Sequence, residues 1–302
     1  MTTKTIALVG ASGRLGKLIA NELLETPDIR LRLLVRAGSR GKVGDLEARG
    51  AVVVEGDITS GDLAPLDALV QGATTVISAV QGGPETLIDG QAALLRAARA
   101  ASVRRFIPST YSLNMFGVAP GQIVTSDLRL AFAQIADAER GDVEVSHVMI
   151  GGFLDRGVMF GFIRIIDPEA QTAYVWGDGD QPMDFTTYAD TARYTAALAV
   201  DERPAPRVFA AAGDTKTFPQ IVRAYEEASG KELKVERLGS LDDLDRRIEE
   251  LQQGGAHFTQ FLPLMYYRAQ LNGDGRLEEV MNVRYPEIKP LTISEYVQLE
   301  NL

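Results

Sequence analysis

Three glycines constrain this chain more than any other feature. The segment Ile6-Ala-Leu-Val-Gly-Ala-Ser-Gly-Arg-Leu-Gly16 spaces Gly10, Gly13 and Gly16 as Gly-x-x-Gly-x-x-Gly. An apolar run, Thr5–Val9, precedes them, and Leu15–Leu24 follows with apolar residues at helical spacing. A strand, a glycine turn and a helix in that order let backbone N–H groups approach a pyrophosphate at the helix N-terminus. The last glycine permits close helix–strand packing. The segment predicts a dinucleotide site built on Gly10, Ser12, Gly13, Leu15 and Gly16, with Arg14 in reach of a 2′-phosphate.

The residues beyond the turn repeat the same alternation. Leu31–Val35, Val52–Glu55, Thr74–Ala79, Arg105–Pro108 and Val143–Ile150 read as strands, and Leu63–Val70 and Leu87–Ala101 as helices. Strands alternating with helices indicate βαβ units and a parallel sheet with helices on both faces. The expected fold is therefore α/β, a doubly wound parallel sheet of the Rossmann type over residues 1–151. A smaller C-terminal α/β substrate domain is expected over residues 152–302, where Gly and Pro punctuation thickens. It holds helical patterns at Phe218–Ala228, Leu241–Leu251 and Phe258–Leu271. A strand-like Val208–Ala211, within a segment near 205–212, is a candidate to return to the main sheet. In the charged run Asp242–Glu250, Leu241, Leu244, Ile248 and Leu251 are expected to face inward.

The second strand ends Leu33-Leu-Val-Arg36, with Arg40 and Lys42 following. A site for NAD usually carries Asp or Glu there, to bind the ribose 2′-hydroxyl. A basic cluster binds a 2′-phosphate instead, so the expected cofactor is NADP(H). The ends of later strands should border the same ligand: Asp57 and Ile58 near the adenine, and Ser78, Ala79, Val80 and Gln81 in the middle. Pro108, Ser109 and Thr110 are expected beside the nicotinamide.

Composition excludes other classes. With 302 residues, 45% hydrophobic and 24% charged, the chain has globular proportions, and its net charge of −10 argues against nucleic acid or an anionic membrane as partner. It contains no cysteine, and its two histidines, His147 and His257, are far apart, so no metal centre is expected. Neither a signal peptide nor a long apolar span is evident, which reads as soluble and cytoplasmic.

These motifs carry a family resemblance. Val-Gly-Ala-Ser-Gly-Arg-Leu-Gly16, Leu-Leu-Val-Arg36, Gly-Asp57, Arg-Phe-Ile-Pro-Ser109 and Gly-Asp-Gly179 with Tyr188-Ala-Asp190 resemble the NmrA-like, isoflavone-reductase-like branch of the atypical short-chain dehydrogenases. The resemblance implies a Rossmann domain, NADPH, and Gly151, Gly152 and Phe153 lining the nicotinamide and pocket. It also implies a small-molecule substrate, since family members include reductases of aromatic compounds and of quinones. Other members are regulators that bind the dinucleotide without turnover.

One departure bears on chemistry. The isoflavone-reductase-like enzymes place a lysine after the Pro-Ser segment, whereas Gln122–Arg129 offers Thr125, Ser126 and Arg129. No Tyr-x-x-x-Lys occurs, because Tyr111 is followed four residues on by Met115. Arginine is a poor proton shuttle. Tyr111 and His257 are therefore the candidate catalytic groups, while His147, inside an apolar strand, reads as structural. Asp155 and Asp184 read as turn or surface carboxylates with some chance of reaching the cleft. The expected activity is NADPH-dependent reduction of a small, largely apolar aromatic, quinonoid or enone/carbonyl substrate. The alternative is a non-catalytic NADP(H) redox sensor that uses Trp176 and Tyr266-Tyr267 as contact surface. A homodimer and a regulatory protein partner both stay open.

Overall fold

The structure is a computed structural model that describes residues 3–302. In chain order the first elements are β1 (Lys4–Val9), α1 (Arg14–Glu25), β2 (Ile29–Val35), α2 (Gly44–Ala48), β3 (Val52–Glu55), α3 (Ala64–Val70), β4 (Thr75–Ser78), α4 (Gln91–Ala100), β5 (Arg105–Ile107), α5 (Val124–Glu139), β6 (Glu144–Val145) and β7 (His147–Met149). There follow β8 (Gly152–Phe153), β9 (Ile166–Asp167), β10 (Thr172–Trp176), β11 (Met183–Thr186), α6 (Tyr188–Val200), β12 (Val208–Ala210), β13 (Asp214–Lys216), α7 (Phe218–Ser229), β14 (Lys234–Gly239), α8 (Leu241–Gln253), α9 (Phe258–Leu271) and α10 (Ile293–Leu299). The chain forms two compact units: residues 1–111, 128–148 and 191–209, and residues 112–127, 149–190 and 210–302.

The first unit contains a six-stranded sheet in the order β3-β2-β1-β4-β5-β6. Every pairing in it is parallel, with Ile6 opposite Leu31 on one side and Thr75 on the other. The strand order reverses between β1 and β4. That reversal opens a crevice beyond the strands' carboxyl ends, the usual ligand position in open α/β sheets. Ala7, Val9, Val76 and Phe106 from the strands pack against Leu66, Leu69, Leu94, Leu95 and Phe132. Arg105 is 1% exposed yet satisfied: its guanidinium donates to Glu144 and to the carbonyls of Leu198, Asp201 and Arg203.

The run Val143–Ile150, expected as one strand, is two. At Ser146 its partner changes: Ser146 N–H still donates to Phe106 O, while His147 N–H donates to Arg207 O. β7 then pairs with β12 rather than with the six-stranded sheet. The two residues of β6 fit that handover.

His147 is fully buried in this run. Burial, then the nearby Arg207 charge, lowers its pKa to about 4 against the opposing pull of Asp137. A histidine depressed in the folded state is protonated more readily when unfolded. Stability is therefore full above the unfolded value near 6.5 and is lost as pH falls from there toward about 4. Chemical denaturation between pH 7 and pH 4 should show that decline, and His147→Leu should flatten it.

The second unit is built on short strands. β10 pairs parallel with β14 and antiparallel with β9, and β11 pairs parallel with β8 and antiparallel with β13. Its core joins Leu154, Phe160, Val175, Phe185, Phe218, Ile221, Tyr225 and Met265. Within α8, Leu244 and Ile248 are buried, Leu241 packs partly against the core and Leu251 is half-buried. Ser240 Oγ accepts from Asp243 N–H and closes a capping box at the start of that helix. No helix among the described residues is long and apolar enough to cross a membrane.

Candidate functional site

In the glycine turn, Gly13 N–H donates to Gly10 O at 2.9 Å, and Lys17 N–H returns to Gly13 O as the first bond of α1. Gly10 has φ +94°, and a Cβ there would stand 2.3 Å from Ala79 O. A Cβ on Gly16 would stand 2.2 Å from Gly10 O. These two glycines are thus required by the protein's own packing. Gly13 is different. It is extended, at φ −91° and ψ 168°, and a Cβ on it would meet only Gly10 O, at 3.4 Å.

Gly13 is also the N-cap of α1, which has no side-chain cap and no acidic residue in its first turn. The orphan N–H groups and the positive end of the helix dipole are left for an anion. Beside this terminus lies a crevice of about 220 Å³, lined by Gly10, Ser12, Gly13, Arg36, Asp57, Ile58, Ala79, Val80 and Gln81, all expected from the sequence. Val9, Leu34, Val35, Gly56, Thr59 and Thr86 complete its wall. Asp57 Oδ1 accepts from both the N–H and the hydroxyl of Thr59 at 2.9 Å, which fixes the turn after β3.

The basic cluster divides. Arg36 lines the crevice, is exposed, and has no side-chain partner among the described residues. Arg40 is held by Glu47 at 2.6 Å and Glu55 at 2.9 Å. Those two hydrogen-bonded carboxylates push its pKa upward. Lys42 is exposed and lies outside the crevice lining. Arg14, Leu15 and Gly16 form the first turn of α1 rather than the crevice wall.

At the end of β5, Ser109 acts as a fastener. Its N–H donates to Gln91 Oε1, its hydroxyl to Val80 O at 2.7 Å, and its carbonyl accepts from Arg129 Nε. Ser78, Pro108, Ser109 and Thr110 are buried and are not part of the crevice lining. Tyr111 is also buried, and burial pushes its phenol well above the usual range, offset only in part by neighbouring Thr195.

The remaining candidates lie in the second unit. Gly151 has φ +69°, with Asp184 O 2.1 Å from where its Cβ would be. Gly152 and Phe153 form β8, and Phe153 stacks on Tyr188 at 3.8 Å. Asp155 and Asp184 are not surface carboxylates. Asp155 accepts from Tyr188 N–H, and Asp184 accepts from the Thr215 hydroxyl and Leu277 N–H. His257 is the exposed N-cap of α9, bonded to Thr259 at 2.9 Å. Tyr267, expected as contact surface under the sensor alternative, is 2% exposed and donates to Tyr174 O. Trp176 likewise packs against the core.

A larger cavity of about 650 Å³ lies within the second unit, between Asn114, Asp184, Thr215, Asp274 and Arg276. It has no strand–glycine–helix turn, so the smaller crevice is the dinucleotide candidate. No group of His, Asp or Glu side chains among the described residues is placed to hold a metal.

This geometry meets a family match over the same turn. Residues 2–118 match the model of the NmrA-like family. Over those residues the chain is similar to that family. Similarity to individual proteins runs nearly end to end. An isoflavone reductase homolog from Zea mays is 24% identical over 306 residues, covering 97% of this chain and 96% of the relative. Pinoresinol reductase 1 from Arabidopsis thaliana is 25% identical over 329 residues, covering 99% and 98%. Among solved structures, AtPrR2 with NADP+ and (+)pinoresinol shares the fold at TM-score 0.82 and 22% identity, with 99% of each chain covered. Triphenylmethane reductase from Citrobacter sp., complexed with NADP(H), does so at TM-score 0.72 and 19% identity, covering 98% of this chain and all of that one.

Proposed function

We propose that this NmrA-like protein is an NADP(H)-dependent oxidoreductase that reduces a small, largely apolar aromatic, quinonoid or enone/carbonyl substrate. The observation that carries the cofactor assignment is Arg36, a guanidinium with no partner among the described residues, on the wall of a crevice whose glycine turn leaves Gly13 open. The residues fit the group. The first turn of α1 and Gly13 would take the pyrophosphate, Arg36 the 2′-phosphate with Lys42 close in sequence, and Asp57 and Ile58 the adenosine end. The relatives named for isoflavone and pinoresinol reduction, and the solved complexes with NADP+ and NADP(H), support the same reading.

When bound, NADPH supplies a hydride. What the chain adds is orientation. Ser109 ties the end of β5 to Val80 beyond β4, so the carboxyl ends of these two neighbouring strands hold one spacing. A proton is the scarcer resource, because the lysine that the resemblance expects is absent and the Tyr111 phenol is buried and pushed up. Such a phenol keeps its proton and releases it reluctantly. This favours acceptors that need little side-chain proton donation, such as quinones, over simple aldehydes. Tyr111→Phe should therefore change kcat for a quinone by less than about threefold. A simple aldehyde should lose ~10²-fold only if this phenol donates. The same scarcity favours one second reading, an NADP(H)-binding redox sensor without turnover. Fluorescence titration with NADPH and NADH, followed by NADPH oxidation assays against quinones, enones and aromatic aldehydes, separates the two. Tight NADPH binding with no turnover would overturn the reductase.

A further inference from the structure

The cavity of about 650 Å³ in the second unit shares no lining residue with the dinucleotide crevice. Nor is it lined by Gly151, Gly152 or Phe153, or by either candidate catalytic group. Its volume is that of a small-molecule site. Asn114 supplies the observation that points to an occupant. The residue is 7% exposed, and its Oδ1 accepts from Phe116 N–H at 3.2 Å. Its Nδ2 has no partner among the described residues, yet it is not sealed from solvent as the unpartnered hydroxyls of Ser78 and Ser126 are. The amide nitrogen therefore opens on the cavity that Asn114 lines. A donor left open in an otherwise closed wall calls for an acceptor.

The charges around that donor are uneven. Asp184, Asp274 and Glu278 line the cavity against one cation, Arg276. Asp184 is 3% exposed and is held by the Thr215 hydroxyl at 2.6 Å and Leu277 N–H at 2.8 Å, neutral donors that fix it without cancelling its charge. Asp274 accepts from Asn272 Nδ2. The exposed side chains of Arg276 and Glu278 have no partner among the described residues. Gly117 brings donor and acid to one wall: a Cβ built there would stand 3.4 Å from Asn114 Nδ2 and would overlap Asp274 O. Three carboxylates, one guanidinium and one open amide donor complement an occupant with one carboxylate and two cationic groups. We propose that this cavity binds a free dibasic amino acid, of the lysine and arginine class. Its carboxylate accepts from Asn114 Nδ2 and Arg276, and its two cations face the three acidic side chains. The net charge of −10 on the chain also favours a cation there over an anion. None of this rests on the reductase reading.

The test titrates the full chain calorimetrically with L-arginine, agmatine and L-citrulline. Agmatine lacks the carboxylate, and citrulline keeps the shape of arginine with a neutral side chain. Wild type should bind L-arginine with a Kd below about 1 mM, and about tenfold or more tighter than either analogue. Asn114→Asp keeps the Oδ1 that Phe116 N–H needs and turns the open donor into an acceptor. It should weaken L-arginine by about tenfold or more while leaving agmatine within about threefold of wild type, or tighter. Arg276→Gln probes the same carboxylate from an exposed position if Asn114→Asp does not fold. A wild type that fails to bind L-arginine, or binds an analogue as tightly, overturns the proposal. So does a folded variant that leaves L-arginine unchanged or weakens L-arginine and agmatine equally. NADPH titration of the same samples reads the dinucleotide crevice separately, so either reading can fail alone.

Discussion

Arg36→Glu is expected to weaken NADPH binding by about 10²–10³-fold while leaving NADH within about threefold of wild type, or improving it. The guanidinium lines the crevice and no carboxylate competes for it among the described residues. Removing a charge-assisted hydrogen bond to a phosphate costs about 1.5–3 kcal/mol, and the new carboxylate adds repulsion against a dianion. At 1.4 kcal/mol per tenfold, those contributions give the stated range. NADH lacks the 2′-phosphate, and a carboxylate at this position can accept from its ribose hydroxyls. Arg40 sharpens the expectation. Glu47 and Glu55 already hold it, so Arg40→Ala should cost NADPH much less than the change at Arg36. Fluorescence titration of the variants with both dinucleotides checks this. Equal losses for NADPH and NADH at Arg36 would sink the 2′-phosphate assignment.

The division between Arg36 and Arg40 also marks how far the site was legible in the residues alone. A basic cluster after the second strand is visible in sequence. Its two acidic partners are not, because Glu47 and Glu55 follow Arg40 by 7 and 15 residues and meet it only once α2 and β3 are placed. The parallel sheet was legible because its strands are apolar runs separated by amphipathic helices. α6 was not read, since Tyr194, Thr195, Leu198 and even Asp190 are buried and no polar face alternates with an apolar one. In the second unit, strands as short as Gly152–Phe153 and Ile166–Asp167 are too brief to show a period of two. The partner change at Ser146 is hidden for a related reason, as Val143–Ile150 keeps a β-rich composition while its neighbour changes. Thr59 reaches the crevice from a turn and Thr86 from the helical segment Glu85–Gly90, and neither has a motif of its own.

Gly13→Val should abolish binding of NADPH and NADH alike, by at least ~10³-fold, and yet leave a folded protein. The three glycines of the turn look equivalent in sequence but answer to different constraints. Gly10 sits in left-handed backbone with Ala79 O in the way of any side chain, and Gly16 is pressed against Gly10 O. Substituting either sets Cβ against backbone that cannot yield, so Gly16→Val should unfold the chain or lower its melting temperature steeply. Gly13 is extended, in a region that β-branched residues favour, and it faces solvent beside the crevice with no protein atom nearer than ordinary contact. Valine there replaces glycine as N-cap, costing on the order of 1 kcal/mol, or about 2–4 °C for a chain of this kind. The isopropyl group would occupy the space through which a pyrophosphate must reach the helix N–H groups. Paired melting curves and dinucleotide titrations on the two valine variants decide the matter. If Gly13→Val unfolds like Gly16→Val, the turn is a packing device at every glycine. If it folds and still binds NADPH, the phosphates do not lie on this helix.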